Sequence, residues 1–258
     1  MSLLKRIIFC LYYKEGFFYL SRNFSLQKVG DVDWLIRNFG FGKATNYIDE
    51  IVIILVKKKP TESDFKNFFV GVLKLRKSLF IPITLGGGIR DLKISKRFFD
   101  NGADKILINT LAFENKEIIE KIAGFYGSQA ICVMIDHRRI NNEINLYSHC
   151  GARLEKISLK KHLENLNSLN CGEIILNSID NDGNAAGIDL TILDNIETNI
   201  NKPILIMGGA GKPEHLSSVL ASTKISGVIT ANLFNFLGDG LKVARNFALE
   251  KNISLANF

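Results

Sequence analysis

Asp136 directly follows the apolar run 131–135. A carboxylate at the end of a buried strand can serve as a general acid or base; the alternative is a loop aspartate that caps a turn. Two glycine clusters offer a second chemistry. Leu85-Gly86-Gly87-Gly88-Ile89-Arg90 and Met207-Gly208-Gly209-Ala210-Gly211-Lys212 each close an apolar run. Without a Cβ in the way, backbone N–H groups there can approach a phosphate. Asn109 and Thr110 follow one further apolar run, and Ala231 and Asn232 another. One such cluster reads equally as a tight turn. Two, separated by about half the chain, predict two phosphate sites and a ligand with a phosphate at each end. Asp136 is expected between them.

The loop Ser178-Ile179-Asp180-Asn181-Asp182-Gly183 adds Gly183 to the candidate phosphate-binding residues. Asp180 and Asp182 either hold that loop by Asx-turns or help to bind substrate. Four more charges, Arg6, Glu50, Lys105 and Glu173, stand at the starts of apolar runs. They either face solvent or close one end of a barrel as an ion-pair ring, and the residues alone favour solvent.

The elements that must position these groups are short apolar runs at 7–11, 51–56, 81–85, 105–108, 131–135, 173–176, 203–207 and 227–230. Lacking strict alternation, they suit parallel strands buried on both faces. Helical patterns fall between them at 64–77, 114–125, 159–169, 213–221 and 239–251, the first capped by Ser63. The pattern predicts an α/β fold, a single (β/α)8 TIM barrel spanning 1–258 and built from two similar half-barrels.

The bulk numbers agree with one soluble domain. The chain has 258 residues, 47% of them hydrophobic and 23% charged. Its net charge of +7 comes largely from short lysine clusters; with no interleaved aromatics they read as solvated faces, and no nucleic-acid partner is expected. The charge is compatible with a polyanionic small substrate. Four cysteines show no metal-like spacing, so neither metal nor cofactor is expected, and a reducing cytoplasm is. The apolar segment 7–13 after Lys5-Arg6 lacks a small-residue cleavage site and reads as a strand, and no membrane span is expected.

Taken in order, the motifs resemble the cyclase subunit of imidazole glycerol phosphate synthase over nearly the whole chain. The matching stretches are Lys5-Arg6-Ile7-Ile8 with Cys10-Leu11, Gly86-Gly87-Gly88-Ile89-Arg90, Gly102-Ala103-Asp104-Lys105 and Phe125-Tyr126-Gly127-Ser128-Gln129-Ala130. Ser178–Gly183 and Gly208-Gly209-Ala210-Gly211-Lys212-Pro213-Glu214-His215 complete them. The resemblance implies a lyase barrel partnered with a glutaminase, whose ammonia enters at the bottom and travels through the core to the mouth. It implies a gate at Arg6, Glu50, Lys105 and Glu173, and a partner contact at Asp104.

The departures lie at the mouth. Of the family's two catalytic aspartates the second falls on Asp136, but the first falls on Tyr12. A further family aspartate falls on Leu55, and the lysine usual near position 20 is Leu20. Tyrosine, with an ordinary pKa of about 10, does not replace a carboxylate base near neutral pH. A paralogous branch of the family also lacks the first aspartate, and Lys28-Val29-Gly30-Asp31 resembles it. That branch is associated with amidation of surface-polysaccharide sugars, alongside a glutaminase-like subunit and an ATP-dependent amidotransferase. There the barrel would relay ammonia toward an amide or amidino group on an N-acetyl sugar acid or nucleotide sugar, and a small phosphorylated or nucleotide-sugar substrate is expected. The alternatives are a genuine cyclase in histidine biosynthesis and a non-catalytic phosphosugar-binding scaffold.

Overall fold

Apolar strands without alternation must be covered on both faces, and a barrel wrapped in helices does this. The computed structural model describes residues 4–39, 45–196, 200–232 and 239–256. Its strands are β1 (Arg6–Lys14), β2 (Phe17–Arg22), β3 (Ser25–Gly30), β4 (Glu50–Leu55), β5 (Ile83–Gly86), β6 (Lys105–Ile108), β7 (Ile131–Ile140), β8 (Glu143–Ser148), β9 (Arg153–Leu154), β10 (Glu173–Ser178), β11 (Ile204–Met207) and β12 (Gly227–Thr230). Eight of them close a parallel barrel in the order β1-β4-β5-β6-β7-β10-β11-β12, with β12 pairing back to β1. The fold is a (β/α)8 barrel.

The α-helices are α1 (Val32–Phe39), α2 (Glu62–Arg76), α3 (Leu92–Asp100), α4 (Thr110–Glu114), α5 (Lys116–Tyr126), α6 (Leu159–Asn167), α7 (Pro213–Leu220) and α8 (Gly240–Glu250). Between β10 and β11 the described residues form only a 3-10 segment, Leu190–Asn195. The start of α2 corrects the expected cap: Thr61, not Ser63, caps it. Thr61 Oγ1 accepts from Asp64 N, while the Asp64 carboxylate accepts from Thr61 N, a reciprocal box that Ser63 cannot make from inside the first turn.

Two antiparallel excursions stand on the barrel. β1 runs on through β2 and β3, and β7 through β8 and β9. Their tight turns use left-handed residues at Glu15-Gly16, Asn23-Phe24 and Asn141-Asn142, as hairpins twisted to match their strands require.

Side chains alternate between two cores. Ile7, Phe9 and Leu11 point outward into the layer shared with the helices, where Phe65, Phe68 and Phe98 also pack. Ile8, Cys10 and Tyr12 point into the barrel, with Val52, Leu107, Met134, Ile175 and Leu205. Along β6, Lys105, Leu107 and Asn109 lie successively higher on the inner face; Glu173, Ile175 and Asn177 do the same on β10. The interior is thus charged at the strand starts, apolar in the middle and polar at the strand ends.

Candidate functional site

Parallel registration sets three side chains at one level of the mouth. Asn177 on β10 pairs with Asp136 on β7, and Asn109 follows β6, the next strand round. Asn177 Nδ2 donates to Asp136 Oδ1 at 2.7 Å, and Asn109 Nδ2 donates to Asp136 Oδ2 at 3.2 Å. Burial raises the Asp136 pKa to about 7; the Asn177 bond opposes that rise and nearby Asp182 adds to it. A carboxyl poised there can give or take a proton near neutrality.

Tyr12, on the inner face of β1, is buried at the same level, and its hydroxyl has no hydrogen-bond partner. Burial pushes its pKa well above the ordinary value, and Asp182, Cys10 and Asp136 push it further. It stays a neutral phenol at any physiological pH. Asn109 Oδ1 and Asn177 Oδ1 are likewise buried and unpartnered.

The mouth holds two pockets rather than one trough. Tyr12, Gly87, Gly88, Asn109, Thr110 and Asp136 line the first. Gly183, Gly208, Gly209, Ala231 and Asn232 line the second, with Leu20 and Asp182. Asp136 lines the first pocket, and Asp182, which lines the second, is near enough to act on it through its charge. What separates the two pockets is the β2–β3 hairpin. Asp182 Oδ2 accepts from Ser21 Oγ and from Phe24 N at 3.0 Å, and Asp182 O accepts from Asn23 N at 3.0 Å. Asp182 is therefore a latch for the hairpin, and Ser21 lines both pockets.

The glycine loops are built alike. At Gly87 φ is +105° and a Cβ would lie 2.1 Å from Leu55 O; at Gly209 φ is +96° and a Cβ would lie 1.9 Å from Gly187 O. Only glycine fits either place. The strand ends also refine the pairing of the halves. Gly87 follows β5 as Gly208 follows β11, and Asn109 follows β6 as Ala231 follows β12. Gly86, which ends β5, thus corresponds to Met207, which ends β11. The loops differ in charge: Lys57, Lys58 and Arg90 line the first pocket with Asp136, whereas Arg22 and Asp182 are the charged residues lining the second.

At the opposite end the four strand-start charges meet one another instead of solvent. Arg6 Nη1 lies 3.3 Å from Glu50 Oε2 and 2.8 Å from Glu173 Oε1. Lys105 Nζ lies 2.8 Å from Glu50 Oε2 and 3.2 Å from Glu173 Oε2, which completes a ring. Burial works against both the Lys105 and the Glu173 charge. For Lys105 the glutamates outweigh it and raise its pKa; for Glu173, Arg6 and Lys105 outweigh it and lower its pKa. Asp104, at this end, is exposed, and its Oδ2 accepts from Ile83 N at 2.8 Å.

A barrel with paired phosphate-type loops, an ion-pair ring below and a buried carboxyl above narrows the choice of family, and the sequence decides it. Residues 45–238 match the family described as histidine biosynthesis protein. The protein named "Putative imidazole glycerol phosphate synthase subunit hisF2" of Parasynechococcus marenigrum is 38% identical over 98% of this chain and 94% of its own length. Imidazole glycerol phosphate synthase subunit HisF of Sulfurisphaera tokodaii is 35% identical over 97% of this chain and 98% of its own, and that of Chlorobium phaeobacteroides is 34% identical over 98% and 99%. The chain belongs to the HisF family.

In this HisF-family barrel Leu55 does not face the interior. It packs in the outer core at 2% exposure, and its carbonyl abuts Gly87. Three functional groups escaped the sequence reading. Asn177 is a strand residue in no motif. Ser21 acquires its role only through the hairpin. His149 covers the first glycine loop, its N–H donating to Thr110 Oγ1 at 3.1 Å. The signal for the hairpins, Asn141-Asn142 above all, was there to be read.

Proposed function

We propose that this barrel takes ammonia from a glutaminase-type partner at the ion-pair ring and delivers it through the barrel to a phosphate-bearing substrate at the mouth. The reaction served is amidation of a surface-polysaccharide sugar, with an ATP-dependent amidotransferase as a further partner. Tyr12 carries this reading. A buried neutral phenol stands beside Asp136, at the position where the resemblance puts the first catalytic aspartate. Two-carboxylate chemistry is then lost while the rest of the barrel is kept.

The interior supports delivery on physical grounds. From Lys105 and Glu173 to Asn109 and Asn177 is four residues of strand, about 13 Å, through an apolar layer that includes Leu107 and Ile175. Neutral ammonia crosses such a layer at little cost, whereas a charged or larger species does not. Partner docking at the strand-start end is supported by exposed Asp104 and by Phe80 and Phe125, large aromatics left in solvent. Two glycine loops suit a substrate with two anionic groups, the more highly charged one at Gly87 and Gly88 beside Lys58 and Arg90.

The test fills the apolar layer. In the assembled complex, Ile175→Phe should cut glutamine-dependent product about tenfold or more while added ammonium still supports the reaction. Equal loss with both nitrogen sources, or no associating glutaminase, contradicts delivery through this barrel. The second reading, a cyclase of histidine biosynthesis, is favoured by Asp136 with its pKa near 7 and by both retained loops.

A further inference from the structure

The polar level of the mouth contains more acceptors than its own groups satisfy. Both carboxamides give their N–H to Asp136, which fixes their orientation and leaves each Oδ1 as an acceptor without a donor. Asn109 Nδ2 also lies 3.1 Å from Met134 O and 3.2 Å from Tyr147 O, so its two N–H groups are shared among three acceptors, and turning the carboxamide over would set Oδ1 against all three. Asn177 is 2% exposed and Tyr12 is 7% exposed, and the Tyr12 hydroxyl is a third buried oxygen with no partner. All three residues line the first pocket with Asp136. Folded proteins rarely leave buried polar atoms unpaired, and clustered exceptions mark places where something else binds.

We propose that Asn177 and Asn109 form a carboxamide clamp that positions Asp136 and, with the Tyr12 hydroxyl, accepts the N–H groups of ammonia or ammonium. This rests on the delivery reading and deepens it: Asn177 becomes a positioning residue at the receiving end of the path. The chemistry favours a small N–H donor. With ammonia, three oxygen acceptors take its three hydrogens and leave the nitrogen lone pair unengaged, the state needed for attack on a substrate carbon; ammonium offers the same N–H donors but reaches that state only after giving up its fourth proton to a base. An anion is disfavoured, because the two carboxamide Oδ1 atoms can only accept and the Asp136 carboxyl lies beside them, although the Tyr12 hydroxyl can donate as well as accept. The titratable groups that face Asp136 are Asp182 through its charge, Tyr12 from β1 and Cys150 from the turn after β8.

The experiment uses the barrel chain labelled with 13C at aspartate side chains, the Asp136 carboxyl resonance being assigned by its loss in Asp136→Asn. The probe is ammonium chloride, with potassium chloride at equal ionic strength as control and pH held fixed. Ammonium, but not potassium, should shift the Asp136 resonance in a saturable way. Asn177→Leu should weaken that response about tenfold, the effect of losing a charge-assisted bond, and move the Asp136 titration midpoint upward. Asn177→Asp keeps the shape but replaces the donor with a second carboxylate; it should raise the midpoint further and abolish the response. Inorganic phosphate read at the Gly209 amide reports that the variants keep the second pocket. An undiminished ammonium response in both variants overturns the clamp and leaves delivery standing. An equal response to potassium, or none to ammonium, also overturns the clamp, whereas delivery itself fails only in the Ile175→Phe test.

Discussion

A buried phenol with an unpaired hydroxyl is an odd component for a barrel to retain. Tyr12 fills the inner face of β1 near two carboxylates and makes no hydrogen bond. An unpaired buried hydroxyl costs about 1–3 kcal/mol, so Tyr12→Phe should leave thermal stability equal or higher by about 1 kcal/mol. If Tyr12→Phe also lowers turnover in the complex, the hydroxyl is used on a ligand. Asp136 yields a pH prediction with a definite sign. Its folded pKa, about 7, lies above its ordinary 3.8, so its contribution is most favourable below the unfolded value and is lost as pH rises through 7. Buried His137 and His162, both lowered to about 4, act oppositely, losing stability as pH falls from 6.5 toward 4. Asp136→Asn shares those histidines, so the difference from wild type isolates the carboxyl. The variant should gain about 2–3 kcal/mol relative to wild type between pH 5 and pH 8 in urea melts; no gain places Asp136 in a more polar setting. Asp136 and Tyr12 were legible because each directly follows a short apolar run and falls where the resemblance puts a catalytic aspartate. Asn177 was not, because a strand asparagine acquires meaning only from the neighbouring strand it pairs with.

Elements explain why charges that looked solvent-facing became a ring. Arg6, Glu50, Lys105 and Glu173 each begin a barrel strand, and closure turns the start of every other residue column inward. No sequence pattern reports that four distant strand starts share one end; the closed pairing does. Breaking the ring leaves buried charge uncompensated. Lys105→Met leaves Arg6 as the one cation touching Glu50 and Glu173 among the described ion pairs, and should cost about 3 kcal/mol in chemical denaturation; a change under 0.5 kcal/mol would show that the ring is solvated. Strand positions were readable because apolar runs bounded by glycine and charge are strong signals. β7 was read five residues short because Asp136 to Arg139 form a polar run that carries no buried-strand signal, with Ile140 alone after it. The β2–β3 hairpin was missed because its residues are half exposed. Yet that hairpin, latched on Asp182, divides the mouth and decides which loop shares a pocket with Asp136.

At the scale of the whole molecule, polarity along the barrel axis organises function. Charges close the lower end, an apolar layer spans the middle, and a polar cluster around Asp136 lies at the top beside two glycine loops. No helix among the described residues is long and apolar enough to cross a membrane. The alternation of apolar runs and helical patterns made the barrel readable from the sequence, and the repeated glycine clusters made its two-fold character readable. Division of the mouth into two pockets was not, since it depends on a tertiary latch. The central claim is that a HisF-family barrel has kept ammonia handling and lost cyclisation. It is tested most directly by giving the purified chain the usual cyclase substrate with ammonium salt and measuring imidazole glycerol phosphate. The account predicts turnover at least about a thousandfold below that of an enzyme with both carboxylates, the scale of losing a catalytic acid–base group. Formation of imidazole glycerol phosphate at an ordinary enzyme rate would contradict it and return the chain to histidine biosynthesis.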